Sequence, residues 1–337
     1  MTTREINLLH RDLFIKYGPE WVDLISTHGS WVLLTPEFAY KIKRPVQFSF
    51  LDYSTPAKRE AACREEMRLN RRLAKELYLD VVGVYEDHER YTLEACGGHL
   101  IDYALKMKRM DPNRQMDILL QNDQVSTQQV LSIADCLAPF HQKAERRYDV
   151  VNLDTLKDQF NDIAVIIPFL EQHFPKETSK IIQYSIMLSD QFLDAHIDRL
   201  QERQAKGWVI DGHGDLHSRN IFLMDRPIIF DCIEFNEAFR LMDLLSEIAF
   251  FCMDLHFFGR QDLAAHFLQR YLHLIPCIEH IEDWNIFHYF KLYRANVRLK
   301  VNGLNAMQAQ DEDELSAILP LVQSYLNLYR YYLKALG

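Results

Sequence analysis

The sequence is sparing with the residues that mark linkers and disorder, holding 11 Gly and 11 Pro among 337 residues. With 48% hydrophobic and 26% charged residues, that scarcity excludes a disordered chain and implies a sizeable core. Basic charge is also short. The 38 Lys and Arg against 48 Asp and Glu leave a net charge of −10, which argues against a general binder of nucleic acid or anionic membrane. The six cysteines (Cys63, Cys96, Cys136, Cys232, Cys252 and Cys277) show no C-x-x-C and no short pairing rhythm. They predict buried reduced thiols and not a disulfide scaffold or a zinc ribbon. No signal peptide is visible, because charged residues interrupt MTTREINLLHRDLF. The most apolar stretch, Leu241 to Phe258, contains Asp243, Glu247 and Asp254, so it reads as a core helix and not a membrane span. A cytoplasmic protein is expected. There is no G-x-x-x-x-G-K-[ST], which excludes a P-loop NTPase, and there is no internal repeat.

What is present falls into two textures. Residues 1–25 look helical, with Leu8, Leu9, Leu13 and Val22 on a patchy apolar face. Trp31 to Leu34 and Phe38 to Ile42, joined by Thr35-Pro36-Glu37, predict a β-hairpin. Ser54 or Thr55 can cap a helix whose first turn takes Pro56, and Met67, Leu69 and Leu73 lie along it. Three further strands are expected at Val81 to Tyr85, Tyr91 to Glu94 and Leu100 to Met107. After Asp111-Pro112 the pattern turns helical, with two long helices over 155–205 and only helices beyond 240. Short strands around 208–231 flank a polar loop. The reading is an α+β chain of two lobes, a β-rich 1–109 and a mostly helical 110–337.

The densest chemistry lies at Asp211-Gly212-His213-Gly214-Asp215-Leu216-His217-Ser218-Arg219-Asn220, followed by the apolar Ile228-Ile229-Phe230 that delivers Asp231. Phosphoryl transfer from ATP needs a carboxylate that orients the accepting hydroxyl and hard oxygen ligands for Mg²⁺. Asp215 suits the first task, and Asn220 with Asp231 suits the second. A polar loop with capping residues is the plainer reading of any one of these residues. The agreement of three motif positions, the strand and the second Asp favours the chemical one.

This H-G-D-L-H-S-R-N segment, with the strand ending in Asp231, resembles the aminoglycoside phosphotransferase and choline kinase branch of the protein-kinase-like superfamily. The resemblance implies a protein-kinase-like bilobal fold, with a nucleotide-binding N-lobe and a C-lobe that carries the catalytic loop and the acceptor-binding helices. It also implies ATP and Mg²⁺ as cofactors. Phe38-Ala39-Tyr40-Lys41 looks like the family's A-x-K strand. Lys41 is therefore favoured as the partner of the α- and β-phosphates, with Lys43 on the same strand face as its competitor. The helical acid paired with the lysine is Glu66 or Glu65, and Glu66 borders the face turned to the sheet. The glycine-rich phosphate loop of the wider superfamily is absent; Thr27-His28-Gly29-Ser30 offers one glycine, with Ser30 or backbone amides left to meet phosphate. Leu105 to Met110 resembles the connection between lobes, whose backbone would bind the adenine edge and bring Met110 beside it; Met107 to Met110 read equally well as plain core and surface.

Other positions have two readings. His141 looks like a packing residue under the catalytic loop, and Asp243 like a buried acid that ties that loop. Glu234 is either a metal or substrate contact or a surface residue. Arg294 and Arg298, four apart on one helix, either clamp an anionic group or pair with helical acids. S-W-V-L-L-T, Y-K-I-K-R-P-V and F-D-C-I-E-F-N look typical of one uncharacterised subgroup, some of whose members carry a further P-loop kinase domain; this sequence reaches Gly337 without one. The expected activity is transfer of the γ-phosphoryl group of ATP to a hydroxyl of a sugar, amino sugar or amino alcohol. The alternatives are a protein Ser/Thr kinase, an AMP-transferring enzyme or a regulatory nucleotide-binding pseudokinase. No D-F-G to A-P-E segment supports the first of these.

Overall fold

A computed structural model describes residues 1–27, 29–48, 51–95, 97–149 and 151–336, without the side chains of Phe48 and Leu51. His28, Cys96 and Gly337, named above, lie outside the described residues. In chain order the first elements are α1 (Thr3–Tyr17), β1 (Asp23–Ser26), β2 (Ser30–Leu34), β3 (Phe38–Lys43), β4 (Gln47–Phe48) and β5 (Leu51–Asp52). Then come α2 (Pro56–Asn70), β6 (Tyr78–Asp87), β7 (Arg90–Thr92), β8 (His99–Lys108), α3 (Met116–Gln121) and α4 (Thr127–Lys143). The chain continues through α5 (Leu153–Asn161), α6 (Ile167–His173), α7 (Glu177–Ala205), β9 (Val209–Asp211), β10 (Ile221–Phe222) and β11 (Ile228–Ile229). It ends with β12 (Leu241–Asp243), α8 (Leu244–Phe257), α9 (Gln261–Leu274), α10 (Ile281–Met307) and α11 (Glu312–Leu336).

These elements form two compact units, Met1–Leu119 with Arg219–Phe239, and Leu120–Ser218 with Arg240–Gly337. The first holds an antiparallel sheet of order β1-β2-β3-β8-β6-β7. The expected hairpin forms with Val32 opposite Lys41. One expectation fails at the start: the helix ends at Tyr17, where Gly18 adopts φ +91°, and residues 23–26 pair with β2 as an edge strand. Ile6, Leu9 and Leu13 of α1 are buried with Trp31, Leu33 and Ile42 of the sheet.

Helix α2 is capped by Thr55, whose hydroxyl accepts from Lys58 N, and its inward face is not simply apolar. Arg59, Cys63, Glu66, Leu69 and Asn70 are the buried positions. Leu73 falls beyond the helix end. Arg59 meets Asp102 of β8 at 2.8 Å and donates to Tyr53 O, which pins the helix to the sheet. The segment 219–239 belongs to this unit. Its β10–β11 ribbon joins Gln115 through Phe222, and Ile228 and Phe230 pack with Cys63, Leu77, Tyr78 and Leu105.

The second unit is helical, with a two-stranded pair of β12 and β9. Residues 155–205 are not two long helices, and sequence beyond 240 is not purely helical. Pro168 starts the short α6 and Pro175 precedes α7, so each proline, lacking a backbone N–H, breaks the run. Helix α8 is buried along nearly its whole length. Among the described residues, no helix is long and apolar enough to cross a membrane. The five described cysteines are buried and none is in a disulfide, as expected of reduced thiols.

Arg203 is the largest fully buried side chain here, held by Asp243 at 2.7 and 2.8 Å and by Asp283 at 3.2 Å. Asp243 also caps α8 by accepting from Leu245 N. Removing one partner of a buried ion pair leaves an uncompensated charge. Arg203→Ala is therefore expected to cost about 3–5 kcal/mol in denaturant unfolding. Arg64→Ala, which breaks the exposed Arg64–Glu60 pair, should leave the midpoint close to that of the parent.

Candidate active site

In the first unit, β3 is the central strand that carries Lys41 and Lys43, two residues apart and so on one face. Both ammonium groups reach the same carboxylate. Lys41 Nζ lies 2.8 Å from Glu66 Oε1, while Lys43 binds Glu66 Oε2. Each lysine then has a second acid from the 219–239 segment: Lys41 Nζ is 2.7 Å from Asp231 Oδ1, and Lys43 pairs with Glu234. Tyr53 Oη donates to Glu234 at 3.1 Å. The choice between Lys41 and Lys43 therefore does not reduce to one of them pairing with the helical acid. The two differ in surroundings instead: Lys43 is 1% exposed and Lys41 17%. Glu65 is turned away, bound to Arg68, and Glu66 is fully buried.

Burial opposes the charge on Lys41, but Asp231, Glu66 and Glu234 outweigh it and hold the ammonium well above the usual lysine range. At Lys43, Glu234 and Glu66 likewise outweigh burial and the neighbouring Lys41 charge and raise the ammonium. Burial likewise opposes ionisation of Glu234, yet the two lysines hold its carboxyl well below the ordinary glutamate value. Glu234 is thus an interior partner of Lys43 and not a surface residue.

Asp231 adopts φ +61°, a left-handed conformation costing about 1–3 kcal/mol for a side chain of this kind. Its neighbours fix it there. Asp231 N donates to Tyr78 Oη at 3.2 Å, Cys232 N to Asn70 Oδ1 at 2.8 Å, and Phe230 N to Asn220 O at 3.0 Å. The β10–β11 ribbon therefore brings Asn220 and Asp231 side by side in one unit. Only Oδ1 of Asp231 has a protein partner among the described residues, and the side chain is 42% exposed, so Oδ2 is a spare hard-oxygen donor. Among the described residues, no three His, Cys, Asp or Glu side chains converge in a way that could hold a metal ion.

In the second unit, the polar loop carrying Asp215 is held by acids of α8. Glu247 Oε1 accepts from His213 N at 2.7 Å and Gly214 N at 2.8 Å, and Asp254 accepts from Ser218 N at 2.7 Å. A Cβ on Gly212 would lie 2.3 Å from Glu247 Oε2, so a side chain there would displace the clamp. His141 supports Glu247 from behind, Nε2 to Oε2 at 2.9 Å, with Nδ1 2.6 Å from Tyr271 Oη. The packing role expected of His141 is thereby explained. Among the described residues Asp243, by contrast, does not tie the loop; its carboxylate is taken by Arg203 and by the start of α8. Asp215 Oδ2 is 3.1 Å from His217 Nε2. Burial pushes its carboxyl up, but His217, Arg298 and His213 together bring it well below the usual range.

No protein-family model matches the chain. An uncharacterised protein of Mycobacterium tuberculosis (strain ATCC 25618 / H37Rv) is 29% identical over 315 residues, covering 90% of this chain and 59% of that protein. An uncharacterised protein of Mycobacterium bovis matches to the same extent. The chain thus spans about 59% of the length of these curated relatives. Among solved structures, choline kinase from Cryptosporidium parvum Iowa II aligns with a TM-score of 0.51 at 13% identity, over 93% of this chain and 88% of that one. A GDP complex of wild-type aminoglycoside 2'-phosphotransferase-IIIa also gives 0.51, at 9% identity over 97% and 99% of the two chains. The chain has the kinase-like fold of these two proteins.

On that fold the remaining candidates are placed as follows. Ser30 is buried, and its N–H and C=O are both tied to Thr27. Met110 packs with Met107, Phe230 and Leu105 in a small apolar cluster. Among the described residues, Arg294 and Arg298 pair with no acid. Arg294 donates to Ser246 Oγ, Gly214 O and Met242 Sδ, and Arg298 to Tyr325 Oη.

The two lysines should separate in stability. Lys43→Met leaves Glu234 buried without its cation and is expected to cost about 3–5 kcal/mol in denaturant unfolding. Lys41→Met should cost clearly less, because Asp231 is open to water and Glu66 keeps Lys43. Equal losses would contradict this division. Glu247 supplies a pH signature: burial raises its carboxyl, but the His141 hydrogen bond and nearby charges bring it to about 2. A carboxyl depressed in the folded state adds stability that is full above the ordinary value near 4.3 and is lost as the pH falls toward 2. Glu247→Gln should therefore lower stability at pH 7 and flatten its decline between about pH 4.5 and 2, measured by urea unfolding across that range.

Proposed function

We propose that this chain is a small-molecule phosphotransferase of the aminoglycoside phosphotransferase and choline kinase type. In this reading it moves the γ-phosphoryl group of ATP to a hydroxyl. The observation that supports the reading most directly is the placing of Lys41 between Glu66 of the helix and Asp231 of the segment beyond the motif. A lysine poised between two acids is charged throughout the physiological range and can exchange one acid for phosphate oxygens. Both lysines meet two acids, but Lys41 is the more exposed and its second acid, Asp231, is open to water, which favours Lys41 as the nucleotide contact. Met110 and the apolar cluster around it suit an adenine ring, and Ser30 offers its hydroxyl to phosphate.

Asn220 and the spare oxygen of Asp231 fit Mg²⁺, which is commonly held by one or two protein oxygens with the rest of its shell from water and phosphate. Bound there, the ion would neutralise charge on the transferred group. Asp215 orients the acceptor. A new bond forms between the acceptor oxygen and the γ-phosphorus, the bond from γ-phosphorus to the β,γ-bridging oxygen breaks, and ADP leaves with that electron pair. The hydroxyl proton passes to Asp215 and then to solvent. The depressed carboxyl of Asp215 keeps it ionised, and so able to accept, at any pH near neutral.

The test is incubation with ATP, Mg²⁺ and a panel of hydroxyl compounds, read by product mass. Gain of one phosphoryl group on a small molecule is expected. Gain of an adenylyl group, or label on protein only, would overturn the reading in favour of AMP transfer or protein phosphorylation. Asp215→Asn should lower kcat by about 10²–10⁴-fold with nucleotide affinity nearly unchanged. Full turnover in that variant would remove Asp215 from the base role.

A further inference from the structure

Arg294 and Arg298 lie four residues apart on α10, so they project from one face of the helix. Arg294 is buried, and its three partners are poor ones: Ser246 Oγ at 3.2 Å, Gly214 O at 3.3 Å and the sulfur of Met242. Its guanidinium also stacks over Phe250, 4.9 Å from the ring centre. Arg298 donates only through Nε, to Tyr325 Oη at 3.3 Å, and its two outer nitrogens have no partner among the described residues. Among the described residues neither the buried Arg294 nor the half-buried Arg298 forms an ion pair, which is unusual for guanidinium groups held so far inside a fold.

Acids are not lacking nearby, but each is committed elsewhere. Glu247 accepts from His141, His213 N and Gly214 N, and Asp254 accepts from Ser218 N. Asp215 accepts from His217. Arg294 is hydrogen-bonded to Gly214, the residue before Asp215, so the pair stands at the loop that carries the proposed base. What is left over at this place is N–H donors with positive charge. A cationic acceptor would be repelled there, and a neutral one would leave the donors unmet.

We infer that the acceptor of the phosphotransferase carries an oxyanion, a phosphate monoester or a carboxylate, held by Arg298 with Arg294 while its hydroxyl faces Asp215. This rests on the phosphotransferase reading for the transfer step, but the anion site itself is testable without it. Charge-assisted hydrogen bonds are worth roughly 1.5–3 kcal/mol each, or about 10–100-fold in affinity.

The experiment compares matched acceptors on the full chain: glycerol, glycerol 3-phosphate and glycerate; glucose, glucose 6-phosphate and gluconate; and choline as the cationic member. Phosphoryl transfer is followed by product mass, and binding of each compound is measured by calorimetry without nucleotide. We expect at least one anionic member to exceed its neutral partner in kcat/KM by about tenfold or more. The phosphate and carboxylate arms show which oxyanion fits. In Arg298→Gln, KM for that acceptor should rise about 10–100-fold with kcat largely kept, and Arg298→Lys should recover part of the loss. Arg294→Gln, where burial risks the fold, is read together with its melting curve. Preference for neutral or cationic acceptors overturns the inference, as does an equal loss in Arg298→Gln for all acceptors or no binding of any anionic probe. Arg298-dependent binding of an anionic probe without any transfer would instead uphold the anion site and overturn the phosphotransferase reading.

Discussion

The carboxylate of Glu66 lies out of reach of solvent between two lysine ammonium groups, and much of the first unit is arranged to make that position tenable. An isolated buried carboxylate is costly, and two cations against one anion would be costly too. The chain resolves this by bringing two further acids, Asp231 and Glu234, from a segment nearly two hundred residues away in sequence. Because that segment reaches β3, residues 219–239 belong to the same compact unit as the sheet. The left-handed backbone at Asp231, the Tyr78 hydroxyl and the Asn70 amide are the local means by which the acid is held there.

The second unit repeats the device with one helix. Helix α8 is apolar and buried except that Glu247 and Asp254 stand seven residues, two turns, apart on it. Each accepts backbone N–H groups of the loop before and after Asp215. Such a loop has no ladder of its own, and its amides would be unsatisfied in the interior without these two carboxylates. His141 then satisfies the remaining oxygen of Glu247, and Tyr271 fixes the His141 ring. The loop geometry is thus set from below, by interior groups that touch neither nucleotide nor acceptor in the proposed reaction.

This also explains what the sequence revealed and what it concealed. The motif around Asp215, Asn220 and Asp231 is compact in sequence, so its spacing was readable. The helical period along 56–70 favoured Glu66 over Glu65, and the structure buries the first and exposes the second. The hairpin carrying Lys41 and Lys43 was legible from its apolar runs and its turn. Glu234 was not, because it lies in an irregular segment where no period tells an inward residue from an outward one. Glu247 and Asp254 were visible only as interruptions of an apolar run; their spacing of seven on such a helix was the available signal that both face one interior site. Asp243 follows the motif closely in sequence, which suggests a tie to the loop, whereas its partner Arg203 lies on α7. The paired lysines on one acid were equally hidden, since pattern reasoning assigns one base to one acid.

Hydrogen-bond accounting gives a sharper indication of ligand charge than the net charge of −10 does. In the first unit, two ammonium groups meet three carboxylates, and among the described residues the second oxygen of Asp231 is left exposed and unmatched. A site with a spare hard oxygen suits a cation. In the second unit the carboxylates near Asp215 are taken by backbone amides and by histidines, and the groups left over are guanidinium N–H donors. A site with spare charged donors suits an anion. Acids in exposed pairs, such as Glu60 with Arg64 and Glu65 with Arg68, act only weakly on the interior. The total charge therefore carries little information about the acceptor, and the unmatched groups beside the loop carry more.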